Sequence, residues 1–266
     1  MEHARIHDPT PILDRGRYSA EMAKALVSKV YFVDKVDADT FVDFGCADGA
    51  LLGFMADVFP GLTLVGYDND PEMVARARVA QAGKDVSFTC DWDEVEAAAA
   101  GGRSCLVLSS VIHEAYSYLD AEGLERMWDR VWGRTGFKAD YVAIRDMMVS
   151  ASTSRASDPI AVTRVWQVYD REKIAEWEQH WGSLDENWSL VHFLLTYRYR
   201  DSWKRELAEN YLPVSLERFL SGVPEDFFPV FKEHYTLPFL RRRVKEDFGF
   251  DLADRTHLNL VLERRR

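Results

Sequence analysis

The chain has 266 residues and a formal net charge of -11, because 44 Asp and Glu outnumber 33 Lys and Arg. This balance disfavours sequence-independent binding to nucleic-acid phosphates, although it leaves room for a local basic patch. With 47% hydrophobic residues the chain can bury a sizeable core, and its length suits one large domain or a domain with an insertion. No apolar run approaches the roughly 18 residues of a membrane span.

The predicted elements begin with a helix over residues 18–33, whose apolar residues recur at helical spacing behind Ser19 as the N-cap. Strands and helices then alternate, with short turns between them. The strands are predicted at 40–44, 62–67, 86–90, 105–109 and 141–148. The helices between them are predicted at 49–58, at 71–82, as a short helix that closes at 97–100, and at 119–131. Such alternation predicts an α/β fold with a doubly wound parallel sheet and helices on both faces.

The pattern changes after the fifth strand, where a polar loop over 151–159 leads into a region rich in tryptophan and tyrosine at mostly helical spacing. We interpret 151–224 as a helical, aromatic-rich insertion that forms a lid. The sheet then resumes with a strand at 227–235, a helix at 237–248 and a terminal strand at 256–263. The predicted parts are a core at 1–150 with an N-terminal helix, the insertion, and a segment at 225–266 that completes a seven-stranded sheet.

The most informative stretch is residues 41–53, FVDFGCADGALLG, in which an apolar strand ends in an acid and a small-residue turn leads into a helix. Gly45, Ala47 and Gly49 leave room for a ligand to approach the backbone closely. A second acid, Asp68, follows at the tip of the next strand, about twenty residues beyond the loop. In folds of this kind such an acid binds ribose hydroxyls.

A dinucleotide-binding fold has Gly-x-Gly-x-x-Gly at this place, with the pyrophosphate on the helix N-terminus. Asp48 stands inside the loop of this chain, where it would repel a pyrophosphate but not the ammonium of a methionine moiety. The segment resembles the glycine-rich first motif of the class I S-adenosylmethionine (SAM)-dependent methyltransferases, with Ala47 in place of the middle glycine. The resemblance covers most of the chain except the insertion, and it implies a last strand inserted antiparallel between two others. Another nucleotide, or a structural turn, is the alternative interpretation of the loop.

The resemblance implies SAM as the cofactor and places its contacts at the tips of four strands. The expected cofactor-binding residues are Asp43, Gly45, Cys46, Ala47, Gly49, Asp68, Asn69, Asp91, Trp92 and Ser109. At the third tip, Asp91 would reach the adenine amine while Trp92 covers the ring, a stacking contact worth about 1–3 kcal/mol. The alternative is that Asp91 caps a helix and Trp92 belongs to the core.

The fourth tip carries the expected catalytic residues, His113 and Glu114, at the seam where the resemblance places the acceptor. His113 can take a proton from the acceptor because its reference pKa lies near neutrality, and Glu114 can orient it or contact the acceptor. A packed histidine without a catalytic role is the alternative. The pair lacks the zinc signature His-Glu-x-x-His, because Ser117 occupies the position of the second histidine, so no metal is predicted.

Two groups of charges admit both a structural and a functional interpretation. Arg145 at the fifth tip can clamp a carboxylate or phosphate of the acceptor, but we favour an ion pair with Asp146 or another carboxylate. In the insertion, aromatic residues are interleaved with four basic ones, Arg198, Arg200, Lys204 and Arg205. Nearby acids at helix-pair spacing favour a solvated, ion-paired helix over a nucleic-acid surface.

The three cysteines, Cys46, Cys90 and Cys105, lie in strands or at strand ends without metal-ligand spacing. This placement predicts buried free thiols and a reducing compartment. The first residues do not show the pattern of a signal peptide. We therefore expect a cytoplasmic protein that does not associate with a membrane.

These observations predict a SAM-dependent methyltransferase that acts on an oxygen or nitrogen atom of a small molecule or peptide. The apolar insertion, which we expect to form the acceptor pocket, and the acidic net charge favour such an acceptor over nucleic acid. The alternatives are an RNA- or nucleotide-modifying methyltransferase and a SAM-binding regulatory protein without transfer activity. The Asp/Asn-Pro-Pro-Tyr/Phe and Pro-Cys motifs of common base-methylating subtypes are absent, and Ala47 and Asp48 disfavour an NAD-linked oxidoreductase.

Overall fold

The computed structural model describes residues 26–265. The helix predicted over 18–33 lies only partly within this range, and its cap Ser19 and the expectation for the first residues lie outside it. Within the described range, the chain begins with a short helix, α1 (Leu26–Lys29), and a 3-10 turn follows over Val33–Lys35. Phe32, fully buried between them, packs this segment against one face of the sheet.

The strands of the described chain form one seven-stranded sheet. Their bounds are β1 Thr40–Phe44, β2 Thr63–Tyr67, β3 Ser87–Thr89, β4 Ser104–Ser109, β5 Tyr141–Met147, β6 Phe227–Tyr235 and β7 His257–Arg264. The order across the sheet is β3-β2-β1-β4-β5-β7-β6. Strands β1 to β5 pair in parallel, whereas β7 is antiparallel to both β5 and β6. This confirms the predicted mostly parallel sheet with a last strand inserted antiparallel between two others.

Helices connect the strands and build the insertion. Those of the sheet region are α2 (Ala50–Val58), α3 (Pro71–Ala80), α4 (Trp92–Ala99), α5 (Ile112–Tyr118) and α6 (Ala121–Val131). Those that follow β5 are α7 (Pro159–Val168), α8 (Arg171–Trp181), α9 (Asn187–Thr196), α10 (Trp203–Ala208) and α11 (Leu216–Ser221). Helix α12 (Pro238–Phe248) joins β6 to β7. The prediction of a helical, aromatic-rich insertion after the fifth strand is confirmed.

Helix α4 ends at Ala99, as predicted, and the Asp91 side chain caps its start by accepting the Asp93 N–H at 2.9 Å. One helix departs from the prediction. Helix α5 occupies a segment for which the sequence predicts no helix. Its first N–H, from Ile112, is accepted at 2.7 Å by the buried carboxylate of Asp146, a partner 34 residues away that no local pattern reveals.

Alternating side chains of the central strands pack into two cores, one on each face of the sheet. On one face, Val42 and Leu106 pack with α4, α6 and α11. On the other face, Phe41 and Cys105 pack with α2 and α3. The insertion has a third core around the fully buried Trp177, and this core includes α12. Helix α12 therefore joins the insertion to the sheet.

The structure corrects the expectation for one cysteine. Cys46 and Cys105 are buried, but Cys90 is exposed, so the prediction of buried thiols is wrong for Cys90. This residue lies just beyond β3, the short strand at the edge of the sheet, where no further strand covers it. As for membranes, none of the helices within 26–265 is long and apolar enough to cross one.

Gly49 and Gly83 allow a test of the packing around β3. Both have a left-handed backbone, with φ of 72° and 85°, but a Cβ at Gly49 would lie 2.4 Å from Phe88 Cζ, whereas one at Gly83 would meet nothing within 4 Å. We expect Gly83→Ala to lower the free energy of unfolding by about 1–2 kcal/mol through backbone strain, and Gly49→Ala by a further ~1–3 kcal/mol through overpacking. Urea unfolding without ligand measures both losses, and equal losses would contradict the predicted clash with Phe88.

Candidate active site

The loop between β1 and α2 crosses the carboxyl edge of the sheet with three residues in the left-handed region. These are Gly45, Ala47 and Gly49, with φ of 78°, 49° and 72°. Such a backbone is strained for a residue that carries a side chain, so Ala47 holds strain at this place. A Cβ at Gly45 would lie 2.7 Å from Val111 Cγ2, just before α5. The loop therefore lies directly against the segment that leads to His113.

Asp68, just beyond β2, ties the loop to the neighbouring strand. Its Oδ2 accepts the Ala47 N–H and its Oδ1 accepts the Asp70 N–H, both at 2.9 Å. Burial raises the pKa of Asp68 in spite of these two hydrogen bonds. Each carboxylate oxygen keeps a second lone pair, so Asp68 can also accept a hydrogen bond from a ligand hydroxyl. Asn69, the next residue, is exposed at the rim.

A cavity of about 40 Å³ lies beside the loop. Lys29, Asp43, Asp48 and Ser109 line it together with loop backbone, and Cys46 lies at its inner side with a buried side chain. Burial raises the pKa of Asp43 to about 7 against the opposing effect of Lys29, and burial lowers the pKa of Lys29 to about 8. The Oγ of Ser109 is buried and has no hydrogen-bond partner among the described residues. Opposite charges and an unsatisfied hydroxyl suit a polar ligand.

A larger groove, of about 640 Å³, lies beside β3 between α3 and α4. Asp91, Trp92 and Arg130 line it, and it shares no lining residue with the cavity beside the loop. The ring of Trp92 is 8% exposed and packs on Phe44 and Tyr67, with centroids 5.7 and 5.1 Å away. Asp91 caps α4 and Trp92 packs in the core, which agrees with the alternative interpretation of these two residues from the sequence. Trp92 therefore has little ring surface left for an adenine.

His113 and Asp146 form a buried pair between α5 and β5. His113 is 5% exposed, and its Nδ1 lies 2.7 Å from Oδ1 of Asp146. Asp146 has no exposed surface and also accepts the N–H groups of Ile112 and Met147, at 2.7 Å each. Because an ionised carboxylate only accepts hydrogen bonds, Nδ1 of His113 is the donor. Nε2 is then the nitrogen that can exchange a proton with a ligand.

Asp146 also determines the charge of His113. Burial by itself lowers the pKa of His113, but the charge and hydrogen bond of Asp146 outweigh burial and raise it to about 9. The pKa of Asp146 is lowered, since the effects of His113 and of the two N–H groups outweigh its own burial. At neutral pH the protein therefore holds a buried imidazolium–carboxylate pair.

Arg145 does not pair with Asp146, so the interpretation that we favoured from the sequence is wrong. Consecutive residues of a strand point to opposite faces of the sheet. Asp146 faces α5, whereas Arg145 shares the opposite face with Tyr141 and Ala143, which pack towards α2. Within residues 26–265, Arg145 donates one side-chain hydrogen bond, from Nη1 to Ser110 Oγ at 3.4 Å, and makes no ion pair.

The insertion meets the His113 pair through a cluster of charged side chains. Arg205 donates from Nη2 to Glu114 Oε1 at 3.2 Å and from Nε to Glu209 Oε1 at 2.7 Å. The Tyr118 hydroxyl donates to the same Glu209 oxygen at 2.7 Å. His113, Glu114 and Glu209 place atoms of metal-ligand type within 4.8 Å of one another, but the guanidinium of Arg205 already supplies positive charge to both carboxylates. We therefore assign no metal ion to this cluster.

Sequence reasoning does not identify three members of this site. Asp146 is predicted as a partner of Arg145, not of His113, although an acid at the end of an apolar strand next to β4 is a usable signal. Glu209 and Tyr211 come from the insertion, and the Tyr211 ring packs edge-to-face on His113 with centroids 5.0 Å apart. No local pattern places these two residues in the site, because their position depends on how the insertion packs.

No protein-family model and no curated protein sequence matches the chain. Among solved structures it is similar to the methyltransferase domain of bacterial CtHen1-C, with 14% identity and a TM-score of 0.50 over 92% of this chain and 99% of that one. Plantazolicin methyltransferase BpumL with SAH has 13% identity and a TM-score of 0.45, over 95% of this chain and 86% of that one. Human N-acetylserotonin methyltransferase with SAM has 13% identity and a TM-score of 0.47, over 94% of this chain and 55% of that one. The similarity to CtHen1-C shows a shared class I methyltransferase fold. The other two similarities have TM-scores below 0.5, and no conclusion is based on them.

The charge of His113 predicts a pH dependence of stability. Its pKa is about 9 in the folded protein and about 6.5 when unfolded. The stabilisation from this proton is therefore complete below pH 6.5 and is lost as the pH rises through about 9. Relative to His113→Gln, the wild type should lose about 3 kcal/mol of unfolding free energy across this window.

Urea unfolding of both proteins at a series of pH values measures this difference. Lys29, whose pKa is lowered to about 8, acts in the opposite direction above pH 8. It is present in both proteins, so the difference between them isolates His113. Parallel stability curves for the wild type and His113→Gln would contradict the imidazolium–carboxylate pair.

Proposed function

We propose that the chain is a SAM-dependent methyltransferase that transfers a methyl group to an oxygen or nitrogen atom of a small-molecule or peptide acceptor. The observation that supports this most is the contact between Gly45 of the loop and Val111 before α5. This contact brings the acid-bearing loop next to the pair of His113 and Asp146, at the carboxyl edge of β1 and β4. The strand order reverses between these two strands, which is where open α/β sheets bind their ligands.

The residues around the loop suit the polar groups of the cofactor. We assign its contacts to Asp43, Gly45, Cys46, Ala47, Gly49, Asp68, Asn69, Asp91 and Ser109. Asp43, with Asp48 beside it in the cavity, suits the ammonium of the methionine moiety. Asp68 suits the ribose hydroxyls, since its carboxylate keeps lone pairs beyond its two backbone contacts. Trp92 is left out because its ring is packed into the core.

The pair of His113 and Asp146 would manage the proton of the acceptor. SAM supplies a methyl group that its sulfonium already activates, so alignment and proton handling are the tasks left to the chain. Asp146 holds the imidazole in one tautomer and Tyr211 packs against its ring. His113 would act as a base only as the neutral imidazole, which is the minor form at neutral pH because its pKa is about 9. Its Nε2 proton would first leave to solvent, and the free Nε2 would then take the proton of the acceptor hydroxyl or ammonium as the methyl group is transferred. Glu114, on the same turn of α5, lies beside His113 to contact the acceptor.

The insertion would act as the lid and the acceptor pocket. Three of its basic side chains already have partners in the described chain. Arg198 and Arg200 lie over the rings of Phe239 and Tyr169, at 4.4 and 5.2 Å, and Arg205 lies in the acidic cluster. The net charge of -11 also disfavours a nucleic-acid acceptor. Both observations support a small molecule or a peptide.

Thermal unfolding with SAM, S-adenosylhomocysteine, NAD and ATP in parallel tests the proposed cofactor. A ligand at about 100 times its dissociation constant stabilises by roughly 2.7 kcal/mol, which raises the midpoint of a domain of this size by about 5–10 °C. We expect this shift with both SAM species and not with NAD. Asp68→Asn should lose most of the shift because it weakens the ribose partner, whereas Asp70→Asn, at the cap of α3, should retain it.

A shift with NAD alone, or none with either SAM species, would contradict the proposed cofactor. An equal loss of the shift in both aspartate variants would contradict the specific role of Asp68. Binding of SAM without methyl transfer to any hydroxyl- or amine-bearing acceptor would favour the non-catalytic SAM-binding protein instead.

A further inference from the structure

Arg145 is a buried cation that lacks a full set of partners. It is 6% exposed, and Nη1 makes a hydrogen bond of 3.4 Å to Ser110 Oγ. The Nε–H is buried and has no partner among residues 26–265. A buried charged group without partners is costly, and native proteins leave such groups unpaired only rarely. The guanidinium therefore points to a partner that binds from outside the described chain.

Arg145 stands beside the cavity at the loop. In the pairing of β4 with β5 it lies directly opposite Ser109, so the two side chains share one face of the sheet. Ser109 lines the cavity, and its buried Oγ also lacks a partner in the described chain. Lys29 lines the same cavity, and its pKa is lowered by burial and then by the charge of Arg145. Lys29 and the unsatisfied Ser109 hydroxyl thus line one small cavity, and Arg145 lies next to Ser109 on the neighbouring strand, close enough to affect the charge of Lys29.

The nearby acids do not complete this group. Asp146 lies on the opposite face of the sheet and is occupied by His113. Asp43 lines the cavity from the end of β1, and Lys29 is the cation that opposes the rise of its pKa by burial. Asp48 also lines the cavity, and neither Asp43 nor Asp48 makes an ion pair with Arg145 in the described part of the chain. An anion is therefore missing on the side of the cavity next to β5.

We infer that Arg145 binds a carboxylate together with the Ser109 hydroxyl and Lys29, at the seam between cofactor and acceptor. The Nε–H and the adjacent Nη of a guanidinium form a planar fork that matches the two oxygens of a carboxylate. Ser110, held in a left-handed backbone with φ of 63°, accepts from the other side of the guanidinium and orients it. This inference rests on the proposed function, because it places the carboxylate in the same site.

Two molecules can supply this carboxylate. One is the cofactor, whose methionine moiety carries a carboxylate next to the ammonium that Asp43 and Asp48 suit. The other is the acceptor, in which case the enzyme selects acceptors that bear a carboxylic acid. The chemistry of recognition is the same in both cases, so the experiment needs one arm for each source.

The first arm compares S-adenosylhomocysteine with its decarboxylated analogue by isothermal titration calorimetry. The wild type should bind the intact compound about 10- to 100-fold more tightly, as expected for a charge-assisted hydrogen bond. In Arg145→Gln this preference should fall close to one. The second arm titrates benzoate into protein saturated with S-adenosylhomocysteine, and here Arg145→Gln should abolish binding of benzoate if the acceptor is the source.

Two further variants control for folding and for charge. Arg103→Gln removes a guanidinium at the opposite edge of the sheet, where it pairs with Asp37 and Glu263, so it should keep the wild-type result in both arms. Arg145→Lys keeps the charge but not the fork, so it should show an intermediate loss even if Arg145→Gln does not fold.

The inference is supported if the Arg145 variants, but not Arg103→Gln, lose the preference for intact S-adenosylhomocysteine or lose the binding of benzoate. The first loss identifies the cofactor as the source of the carboxylate, and the second identifies the acceptor. If all four proteins bind S-adenosylhomocysteine with the same preference over its decarboxylated analogue, and benzoate binding is also the same in all four, the inference is overturned while the proposed cofactor stands. If the wild type and Arg103→Gln bind no S-adenosylhomocysteine, the proposed function itself fails, and the inference fails with it.

Discussion

The site depends on one carboxylate, that of Asp146. It has no exposed surface and accepts hydrogen bonds from the backbone of Ile112, from the backbone of Met147 and from the imidazole of His113. Removing a partner from such a buried ion pair typically costs about 3–5 kcal/mol, because it leaves an uncompensated charge. The same three bonds fix where α5 begins, how the imidazole is oriented and which charge it carries. The start of α5, just beyond β4, is therefore held against the end of β5 before any ligand binds.

Helix α5 in turn positions the insertion. Ser117 Oγ accepts the Asn210 N–H at 2.8 Å, and Tyr118 donates to Glu209 at 2.7 Å. The insertion has a packed interior that it shares with α12, in which Trp177 is fully buried and burial lowers the pKa of His192 to about 3. The insertion is therefore packed against the rest of the protein through α12 as well as through α5.

Much of the fold could be predicted because its signals are local. The strand, small-residue turn and helix at residues 41–53 can be read from consecutive residues, and so can the caps and the alternation of later elements. The failures share one cause, which is that their partners are distant in the chain. Asp146 was paired with its neighbour Arg145, although alternation in β5 sends these two side chains to opposite faces. For Trp92 the sequence suits both an adenine stack and a core position; its ring is 8% exposed, and its contact with a cofactor stays a prediction.

The charges at the carboxyl edge of the sheet follow a simple division. On the face of α5, Asp146 neutralises His113 and the acids of the insertion neutralise Arg205. On the other face, Lys29, Asp43 and Asp48 line a cavity together with the unpartnered Ser109 hydroxyl, and the neighbouring Arg145 has an unpartnered Nε–H among the described residues. The first face would suit proton transfer to or from an acceptor, and the second, with charges of both signs and unused donors, would suit a zwitterionic ligand. The sulfur of a cofactor lying along the loop would then reach the seam between the two faces.

A crystal structure with S-adenosylhomocysteine tests this arrangement most directly. We predict that the ribose hydroxyls lie at Asp68 and the methionine moiety in the cavity between Asp43 and Ser109. The sulfur should lie next to Val111, at the start of α5, on the side that faces His113. A ligand confined to the groove between Trp92 and Arg130, with no contact to the loop of Gly45 to Gly49, would contradict this arrangement.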